Sequence, residues 1–575
     1  MKKLLKYLKK YRRDCVTAPL FKLFEAVLEL LVPILVARMI DAGIRGEQPG
    51  VVTQTGLLLC ALALMGFAAA LSAQYFAARA ATGFACDVKA ALIRRIEALS
   101  FRQTDEISVP TLITRMTSDV NQLQTGVNLT LRLLLRSPFV VFGAMIMAFV
   151  VDARAALLFA ALIPLLGLCV YLVMRRTLPG YRDIQRAQDR VLGDTRENLS
   201  GVRVIRAFGR EEAERERFKR DHQILTALQV KIQTYSSLLN PLTLLLVNLT
   251  TAALIYVGAV RVEAGGLTQG EVMALVSYMS QILVELLKLA NLLVTISKAL
   301  ACADRVAEVM ETAPDMVSGT EKPDFSQGPA VELRNVSLSY AGHGKEAVRG
   351  ISLTLSKGES LGIIGGTGAG KSTLAAIIPR LYDVTAGEAL VGGRDVRELD
   401  LRALRACVGY VPQKAKLFSG TLRDNLLMGD RGASDESVWQ ALRTAQAAEF
   451  VEKLPQGLDS PVQQGGSNFS GGQRQRLTIA RALVRKPDIL ILDDSASALD
   501  AQTDRLLSDA LKKDARDAAL VVISQRASSV MGLDHILVLE DGALAGYGRH
   551  EELLSSCPVY RETYEAQFPP QEATA

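Results

Sequence analysis

Six long apolar segments occupy the first half of the chain and constrain its fold more than any other feature. They lie at about 16–44, 56–80, 132–151, 155–175, 237–262 and 271–299. A transmembrane helix requires about 20 mostly apolar residues, so each segment is long enough to span a bilayer. The first and the last segment contain more ionisable residues than a single lipid-facing helix tolerates. We therefore predict six membrane helices packed around a polar cavity.

The connections between these segments differ in length. Those at 45–52, 152–154 and 263–270 are short, whereas those at about 81–131 and 176–236 are long, charged and helical in pattern. Seven basic residues precede the first segment: Lys2, Lys3, Lys6, Lys9, Lys10, Arg12 and Arg13. Because segments rich in Lys and Arg stay on the cytoplasmic side, we predict the short connections outside and the long ones inside. The helices would then extend well beyond the membrane into the cytoplasm.

The net charge of +6 is a local property of the chain. Without the seven N-terminal basic residues, 59 basic residues stand against 60 acidic ones. We therefore predict no nucleic-acid partner, and expect the basic N-terminal segment to lie against anionic lipid headgroups. No cleavable signal peptide is expected. The seven cysteines are scattered without metal-ligand spacing, which predicts reduced thiols and neither disulfides nor zinc.

The pattern changes after Ala301. Residues 313–329 are rich in Pro, Gly and Ser, and from Val331 onward short β-rich runs alternate with helical stretches. This alternation is typical of an α/β domain with a largely parallel sheet. We predict a transmembrane domain at 1–312, a linker at 313–329 and an α/β domain at 330–575.

A glycine-rich loop gives the clearest chemical signal of the α/β domain. The segment Gly365–Ser372 reads GGTGAGKS; it follows the apolar run Ser360–Ile364 and precedes a helix-like stretch. This is the phosphate-binding P-loop in the strand–loop–helix setting that it requires. Lys371 would reach the β- and γ-phosphates and Ser372 would hold Mg²⁺, while backbone N–H groups surround the phosphates. The predicted nucleotide-contacting residues here are Gly365, Gly366, Thr367, Gly368, Ala369, Gly370, Lys371, Ser372 and Thr373.

Two further motifs follow the loop. The apolar run Ile489–Leu492 ends in Asp493, an acid placed to hold the Mg²⁺ shell. Between the loop and this run lies FSGGQ, in which the nucleotide-contacting residues would be Ser470, Gly471, Gly472 and Gln473. With these motifs the chain resembles the ATP-binding cassette (ABC) family, whose signature is a nearly identical LSGGQ. The resemblance extends from Tyr7 to about Phe568 and implies ATP and Mg²⁺ as ligands.

The resemblance also implies roles for individual residues. Tyr340 matches the aromatic residue that stacks on adenine, Gln413 matches the glutamine that senses the metal, and Ser497–Asp500 matches the D-loop. The implied metal ligands are Ser372, Gln413 and Asp493. In the membrane half, Leu112–Val120 and Glu197–Gly209 are similar to segments of the exporter branch. In that branch the two cytoplasmic loops carry coupling helices that dock on the ATP domains.

The chain departs from the family at two catalytic positions. Asp494 stands where active sites usually have the glutamate that polarises water, and its carboxylate is shorter by one methylene, roughly 1.5 Å. A displacement of ~1 Å can cost on the order of 10²-fold in rate. Gln525 stands at the position of the switch histidine, and an amide cannot carry the positive charge of an imidazolium. A softer departure is Gln464, where many exporters have glutamate.

The two departures beside an intact signature resemble the degenerate-site subunit of bacterial heterodimeric exporters. Such a chain would bind Mg-ATP and hydrolyse it poorly, and Ser470–Gln473 would complete the active site of a second, homologous subunit. Two alternatives remain open, a homodimeric exporter with two slow sites and an ATP-gated channel or regulatory membrane subunit. We expect a multi-pass protein of the plasma (inner) membrane, with the N-terminus and the ATP domain in the cytoplasm.

The sequence leaves the substrate open within a broad class. We expect a small hydrophobic or amphiphilic molecule (a drug, a lipid or a peptide-like compound). The predicted membrane segments contain the ionisable residues Lys22, Glu25, Glu29, Arg132, Arg136, Glu285 and Lys288. Such residues usually face a cavity or each other, so they could bind cationic amphiphiles or pair within the protein.

Overall fold

The chain forms two compact units. The computed structural model describes residues 4–326, 328–340 and 346–568, so Lys2 and Lys3 of the basic N-terminal segment lie outside the described residues. The first unit contains Met1–Glu97 and Pro110–Thr312, and the second contains Ala98–Val109 and Ala313–Ala575. A short piece of the first half of the chain, Ala98–Val109, thus belongs to the second unit.

The secondary structure described in the first unit is helical throughout. Its α-helices are Arg12–Arg38, Pro49–Ala98, Val109–Thr114, Val120–Leu133, Arg136–Val151, Ala153–Ser200, Val202–Ala207, Glu211–Ser237, Leu239–Glu263 and Gln269–Glu311. A 3₁₀-helix precedes them at Leu4–Tyr11, and π-helical turns occur at Met39–Ile44 and Arg115–Asp119. Several of these helices are much longer than the apolar segment that predicts them.

Five helical segments among the described residues are long and apolar enough to cross a membrane. They are Pro49–Ala98, Val109–Val151, Ala153–Ser200, Glu211–Glu263 and Gln269–Glu311. The first predicted segment is helical, as Arg12–Arg38 followed by Met39–Ile44, but is not one of the five. Its charged residues Lys22, Glu25 and Glu29 lower its hydropathy, so length and composition support five of the six predicted crossings.

Small residues and capped helix starts shape the first unit. Alanines such as Ala144, Ala155 and Ala274 are fully or almost fully buried in its core, where small side chains let helix backbones approach closely. Two of the short connections end in caps. The Asp152 carboxylate accepts the backbone N–H of Ala155 at 2.8 Å at the start of Ala153–Ser200, and Thr268 caps Gln269–Glu311. A capped start satisfies N–H groups that the first helical turn would leave unpaired.

The described residues of the second unit form three sheets. The strands are β1 Val331–Leu338, β2 Val348–Leu355, β3 Ser360–Gly365, β4 Ala386–Val391, β5 Arg394–Asp395, β6 Val408–Val411, β7 Gly420–Thr421, β8 Pro461–Val462, β9 Ile489–Asp493, β10 Ala519–Ile523, β11 His535–Glu540 and β12 Ala543–Gly548. A six-stranded sheet has the order β12-β11-β3-β10-β9-β6, and only the β11–β12 pair in it is antiparallel. A four-stranded sheet, β2-β1-β4-β5, is antiparallel, and β7 pairs with β8.

The prediction of a largely parallel sheet therefore describes only the six-stranded sheet. The antiparallel four-stranded sheet was not predicted, because isolated apolar runs do not reveal the direction in which their strands pair. Strand β9, which has a parallel neighbour on each side, is buried along its whole length, as expected of a parallel strand covered on both faces.

Helices cover the sheets and form the rest of the second unit. The α-helices are Phe101–Ile107, Lys371–Ile377, Leu401–Cys407, Leu422–Leu427, Asp435–Thr444, Ala448–Glu452, Gly471–Val484, Ala501–Asp514, His550–Ser556 and Pro558–Gln567. Short 3₁₀-helices lie at Gly457–Asp459, Gln464–Gly466 and Ala527–Ser529. One apolar core joins the two large sheets, and a second lies between the six-stranded sheet and the helices around Gly471–Val484.

Candidate functional site

Four neighbouring strands bring the predicted site residues to one edge of the six-stranded sheet. Strands β3, β10, β9 and β6 are parallel, so their carboxyl ends lie at the same edge. Ligands of open α/β sheets bind outside this edge. The glycine-rich loop follows β3, and Gln525 follows β10. Asp493 is the last residue of β9, Asp494 comes next, and Gln413 follows β6. Residues that are more than 100 positions apart in the chain are thus collected by strand order.

The glycine-rich loop has the backbone shape of a phosphate cradle. Gly368 and Gly370 have φ values of 81° and 90°, in the left-handed region that a side chain disfavours. A Cβ atom added at Gly366 or Gly368 would meet nothing within 4 Å, so this part of the loop borders open space. The helix Lys371–Ile377 begins directly after Gly370, and a helix N-terminus attracts anions. The loop therefore fits the phosphates of a nucleotide.

Lys371 is held against the loop itself. Its Nζ donates to the carbonyls of Gly365 at 2.8 Å and Gly366 at 2.7 Å. Burial lowers the pKa of Lys371, and the nearby carboxylates Asp494 and Asp493 oppose that effect. A buried ammonium group whose only described hydrogen bonds are to carbonyl oxygens gains from an anionic partner.

Asp493 is connected to the loop and to β6 by two hydrogen bonds. Ser372 Oγ donates to its Oδ1 at 2.8 Å, and Tyr410 OH donates to its Oδ2 at 3.1 Å. Burial raises the pKa of Asp493 and the two hydrogen bonds lower it. Ser372 and Asp493 thus present adjacent oxygen atoms, the donors that Mg²⁺ prefers when phosphate and water complete its shell. The donor set fits Mg²⁺.

Tyr410 is a residue that the sequence reasoning missed. Its hydroxyl is one of two donors to Asp493, and burial raises the pKa of this phenol. The signal was present, because Tyr410 begins the segment Tyr-Val-Pro-Gln that ends in Gln413. Only the pairing of β6 with β9 shows that this tyrosine faces Asp493.

The two catalytic positions that depart from the family lie beside these residues. The Asp494 carboxylate accepts a hydrogen bond from Gln413 Nε2 at 3.2 Å, and the Asp494 backbone N–H donates to the Ile523 carbonyl at 3.0 Å. Asp494 has a φ of 47°, a left-handed conformation that Asp adopts more readily than most residues. Gln525 is exposed, and its backbone carbonyl accepts from Gln567 Nε2 at 2.9 Å.

Tyr340, the residue expected to stack on adenine, is half-buried beside the end of the glycine-rich loop. Its hydroxyl lies 3.0 Å from Thr373 Oγ1, and its ring packs edge-on against Tyr382 with centroids 5.1 Å apart. The aromatic residue and the end of the glycine-rich loop are therefore adjacent. Tyr382 was not predicted, and no motif in the sequence pointed to it.

The signature segment Ser470–Gln473 forms the start of a helix. Ser470 caps the helix Gly471–Val484: its Oγ accepts the Gln473 N–H at 3.2 Å, and Gln473 Oε1 accepts the Ser470 N–H at 2.9 Å. A Cβ atom at Gly471 would meet nothing within 4 Å, which leaves the helix N-terminus open to a ligand. Within the described residues, the hydrogen bonds of Ser470–Gln473 do not join it to the glycine-rich loop.

The D-loop segment Ser497–Asp500 begins three residues after Asp494. Ser497 Oγ donates to the Asp494 carbonyl at 2.8 Å, and Asp500 caps Ala501–Asp514 by accepting the Thr503 N–H at 2.9 Å. Gln464 is exposed in the 3₁₀-helix Gln464–Gly466. These contacts explain the local structure of the segment without a ligand.

The segment Ala98–Val109 packs within the second unit. Ser100 caps its helix Phe101–Ile107, and Gln103 Nε2 donates to the Ala313 carbonyl at 2.7 Å. Tyr382 OH donates to Asp105 Oδ2 at 2.7 Å. This short helix comes just before Leu112–Val120, the first of the two exporter-like segments.

The second exporter-like segment, Glu197–Gly209, contains the helix Val202–Ala207. Its apolar residues Val204 and Phe208 are exposed, Phe208 by 78%. In the first segment, Asp119 forms ion pairs with Arg115 at 3.0 Å and with Arg305 at 2.6 Å.

Most of the ionisable residues in the apolar segments are paired. Arg136 lies 2.5 Å from Glu285 and 2.6 Å from Glu29. Lys288 lies 2.8 Å from Glu285, and Lys22 lies 2.5 Å from Glu25. Of the two interpretations that the sequence leaves open, this geometry favours pairing within the protein.

Comparisons with known proteins agree with this arrangement. The profile of the family described as "ABC transporter transmembrane region" matches residues 16–286, and that described as "ABC transporter" matches residues 348–497. An uncharacterized ABC transporter ATP-binding protein of Mycobacterium tuberculosis is 36% identical over 97% of both chains. An ATP-dependent lipid A-core flippase of Chromobacterium violaceum is 30% identical over all of this chain and 98% of its own length.

Two further matches extend the comparison. A multidrug efflux ATP-binding/permease protein of Mycobacterium bovis is 32% identical over 97% of this chain, which spans only 46% of that relative. A solved structure, described as that of a bacterial Atm1-family ABC exporter with ATP bound, superposes with a TM-score of 0.80. It shares 25% identity and covers 98% of this chain and 99% of its own.

Proposed function

The chain belongs to the ABC transporter family as an ATP-hydrolysing exporter with fused transmembrane and ATP-binding domains, and from this we propose that it is one subunit of a heterodimeric exporter. The proposed cargo is a hydrophobic or amphiphilic molecule that leaves the cytoplasm. Its own ATP site would be degenerate, and its signature would complete the active site whose glycine-rich loop belongs to the partner. Hydrolysis would occur mainly at that second site.

The proposal rests on a contrast within one site. Asp494 and Gln525 depart from the family's catalytic residues, whereas the residues around them match the family. Lys371 is held against the loop, and Ser372 donates to Asp493, an arrangement that supports binding of Mg-ATP. Asp494 and Gln525 lie just after the ends of β9 and β10, where the family has its glutamate and histidine. A general base contributes ~10²–10⁴-fold to rate. The Asp494 side chain is too short to hold the attacking water well, and Gln525 lacks the positive charge of an imidazolium. The site would therefore bind ATP but hydrolyse it slowly.

Each residue of the site has a proposed task. Lys371 and the loop N–H groups would hold the phosphates, Tyr340 would stack on the adenine, and Gln413 would orient Asp494 through their hydrogen bond. Mg²⁺, when bound, would neutralise phosphate charge from a position held by Ser372, Asp493 and Gln413. Ser470–Gln473 would contact the ATP bound to the partner, as the open space at Gly471 allows.

We propose six membrane crossings, the sixth being the helix Arg12–Arg38. The charged side chains of this helix do not prevent a crossing if they face the other helices and not the lipid. The pairing of Lys22 with Glu25 and of Glu29 with Arg136 supports that orientation. The N-terminus, the helical extensions and the ATP domain would lie in the cytoplasm, and the membrane would be the plasma (inner) membrane. The domain boundaries near 312 and 330 remain part of this proposal.

The relatives support the dimer and the substrate class. One relative bears the name of a lipid A-core flippase and another that of a multidrug efflux protein, both consistent with an apolar or amphiphilic substrate. The chain spans 46% of the multidrug efflux relative, so two chains of this length would span most of that protein.

The test compares the chain alone with the complex that it forms in its own cells. The tagged chain should capture a second exporter chain that has Glu and His at the two positions. The captured complex should hydrolyse ATP at least tenfold faster in lipid nanodiscs than the chain purified alone. If the chain alone is a dimer with transporter-like ATPase activity that substrate stimulates, it is a homodimeric exporter and the proposal fails.

A variant pair tests the degenerate site directly. Asp494→Glu combined with Gln525→His should raise the ATPase activity of the chain alone by about tenfold or more, because both reach and charge return. The matched control makes the same two chemical changes at exposed positions, Asp517→Glu and Gln456→His, and should leave the rate unchanged. An unchanged rate in the first variant would contradict the degenerate site.

Transport is tested in sealed vesicles that contain the captured complex. ATP-dependent accumulation of a lipophilic fluorescent dye supports an exporter. If ATP instead opens a path for ionic current or for passive flux down a gradient, without accumulation of the dye, the complex is an ATP-gated channel.

A further inference from the structure

An apolar cavity of about 600 Å³ lies between two long helices of the first unit. On the helix Ala153–Ser200 it is lined by Leu166, Val170 and Met174, which are spaced four residues apart and so share one face. On the helix Gln269–Glu311 it is lined by Leu286 and Leu293, seven residues and about two turns apart. Its volume is that of a typical small-molecule site.

Two arginines line one end of this cavity. Arg175 and Arg182 are seven residues apart on the same helix, so their side chains leave it on the same face. In the part of the chain that the structure describes, neither guanidinium forms an ion pair, whereas the neighbouring Arg186 pairs with Asp183 at 3.4 Å. None of the described lining residues is acidic. The end of the cavity therefore has two uncompensated positive charges.

The apolar and the charged parts follow the predicted depth in the membrane. Arg175 ends the apolar segment 155–175, and Arg182 lies beyond it on the side proposed to be cytoplasmic. From Leu166 to Arg182 the helix rises about 24 Å, at about 1.5 Å per residue. The apolar walls would thus lie among the acyl chains of the inner leaflet, and the arginines at the level of its headgroups.

We propose that this cavity binds an anionic amphiphile that enters from the inner leaflet. The apolar tail lies between the two helix faces, and the anionic head group accepts hydrogen bonds from Arg175 and Arg182. Arginine suits this task because its guanidinium binds phosphate and carboxylate groups through paired N–H donors. The assumed depth of the cavity in the membrane rests on the proposed function. Among the amphiphiles of that proposal, the charge of the cavity selects those with a negative head group.

The test measures binding to the full chain in nanodiscs of neutral phosphatidylcholine, without ATP. Three probes share a twelve-carbon tail: dodecyl phosphate, dodecylphosphocholine and dodecyltrimethylammonium. Dodecyl phosphate should bind at least tenfold more tightly than the other two. Inorganic phosphate, which has the charge without the tail, should not displace it; displacement at equal concentration would show a simple anion site and overturn the proposal.

Variants locate the binding in the cavity. Arg175→Gln with Arg182→Gln should weaken dodecyl phosphate about tenfold and leave the other probes unchanged. The control, Arg176→Gln with Arg186→Gln, removes the same charge from the same helix at positions that do not line the cavity. Leu289→Trp, which fills the apolar part, should weaken all three probes. Equal losses in the double variant and its control would overturn the proposal.

The outcomes separate this proposal from the proposed function. Charge-selective binding without ATP-driven transport would retain the cavity assignment and contradict the exporter. ATP-driven transport without charge-selective binding would support the exporter and contradict the cavity assignment.

Discussion

Arg136 Nη1 lies 2.5 Å from Glu285 Oε1, although the two residues are 149 positions apart in the chain. The exposed fractions of their side chains are 7% and 3%. Ser137 Oγ donates to the other oxygen of Glu285 at 2.8 Å, and Arg136 also contacts Glu29. The ion pair therefore links the helix Arg136–Val151 to Gln269–Glu311 in a part of the molecule from which water is largely excluded.

Arg136→Met should destabilise the first unit strongly. The substitution removes the cation shared by Glu29 and Glu285, although Glu285 keeps Lys288. The cost should therefore lie toward the lower end of the about 3–5 kcal/mol for breaking a buried pair. We expect a clear fall in the denaturation temperature of the detergent-solubilised chain. Arg186→Met, which breaks an exposed pair with Asp183, is the control and should change stability by less than about 1 kcal/mol. Equal effects of the two would show that the Arg136 pair contributes little.

Lys371→Met should weaken ATP binding by roughly tenfold or more, since a hydrogen bond to a charged group contributes about 1.5–3 kcal/mol and 1.4 kcal/mol is tenfold. Binding of a fluorescent ATP analogue to the full chain measures the change. The control is Lys357→Met, because Lys357 pairs with Asp488 on the surface of the same domain. Similar affinities for wild type and Lys371→Met would contradict the role of this lysine.

Asp105→Ala should separate ATP hydrolysis from transport. The carboxylate accepts a hydrogen bond from the Tyr382 hydroxyl at 2.7 Å, which ties the helix Phe101–Ile107 to the rest of the second unit. We expect the ATPase rate of the assembled transporter without substrate to remain, and its stimulation by substrate to fall several-fold. Glu106→Ala changes an adjacent acid whose described partner is Arg102 within the same helix, and should retain the stimulation.

Asp534 should contribute stability that depends on pH. Hydrogen bonds from Ser360 Oγ at 2.6 Å and Ser360 N–H at 2.9 Å lower the pKa of this carboxyl in the folded chain. Its contribution is therefore fully present above the unfolded value of about 3.9 and is lost as pH falls through the lower folded pKa.

The variant Asp534→Asn isolates this charge. It should be less stable than wild type by about 1 kcal/mol at pH 7, because a charged acceptor forms the stronger hydrogen bond. Urea denaturation of the solubilised chain at pH 7 and near pH 3 should show the difference shrinking in acid. A difference that stays constant with pH would exclude a contribution from the carboxylate charge.

The helical membrane half and the identity of the ATP domain could be predicted from the sequence, because the signals are local. A run of about 20 apolar residues specifies a helix in a bilayer without reference to the rest of the chain. GGTGAGKS and FSGGQ determine backbone shape and chemistry within a few residues. The departures at Asp494 and Gln525 are likewise visible in the sequence alone.

What the tertiary structure decided are relationships between distant residues. Strand order placed Tyr410 against Asp493 and collected the ends of four strands at one edge. Helix packing joined Arg136 to Glu285. It thereby favoured pairing within the protein over substrate binding, a choice that the sequence left open for the ionisable residues of the membrane segments. It also aligned two apolar helix faces and left Arg175 and Arg182 without partners among the described residues. No local pattern encodes such contacts, because they depend on how whole helices and strands are arranged in space.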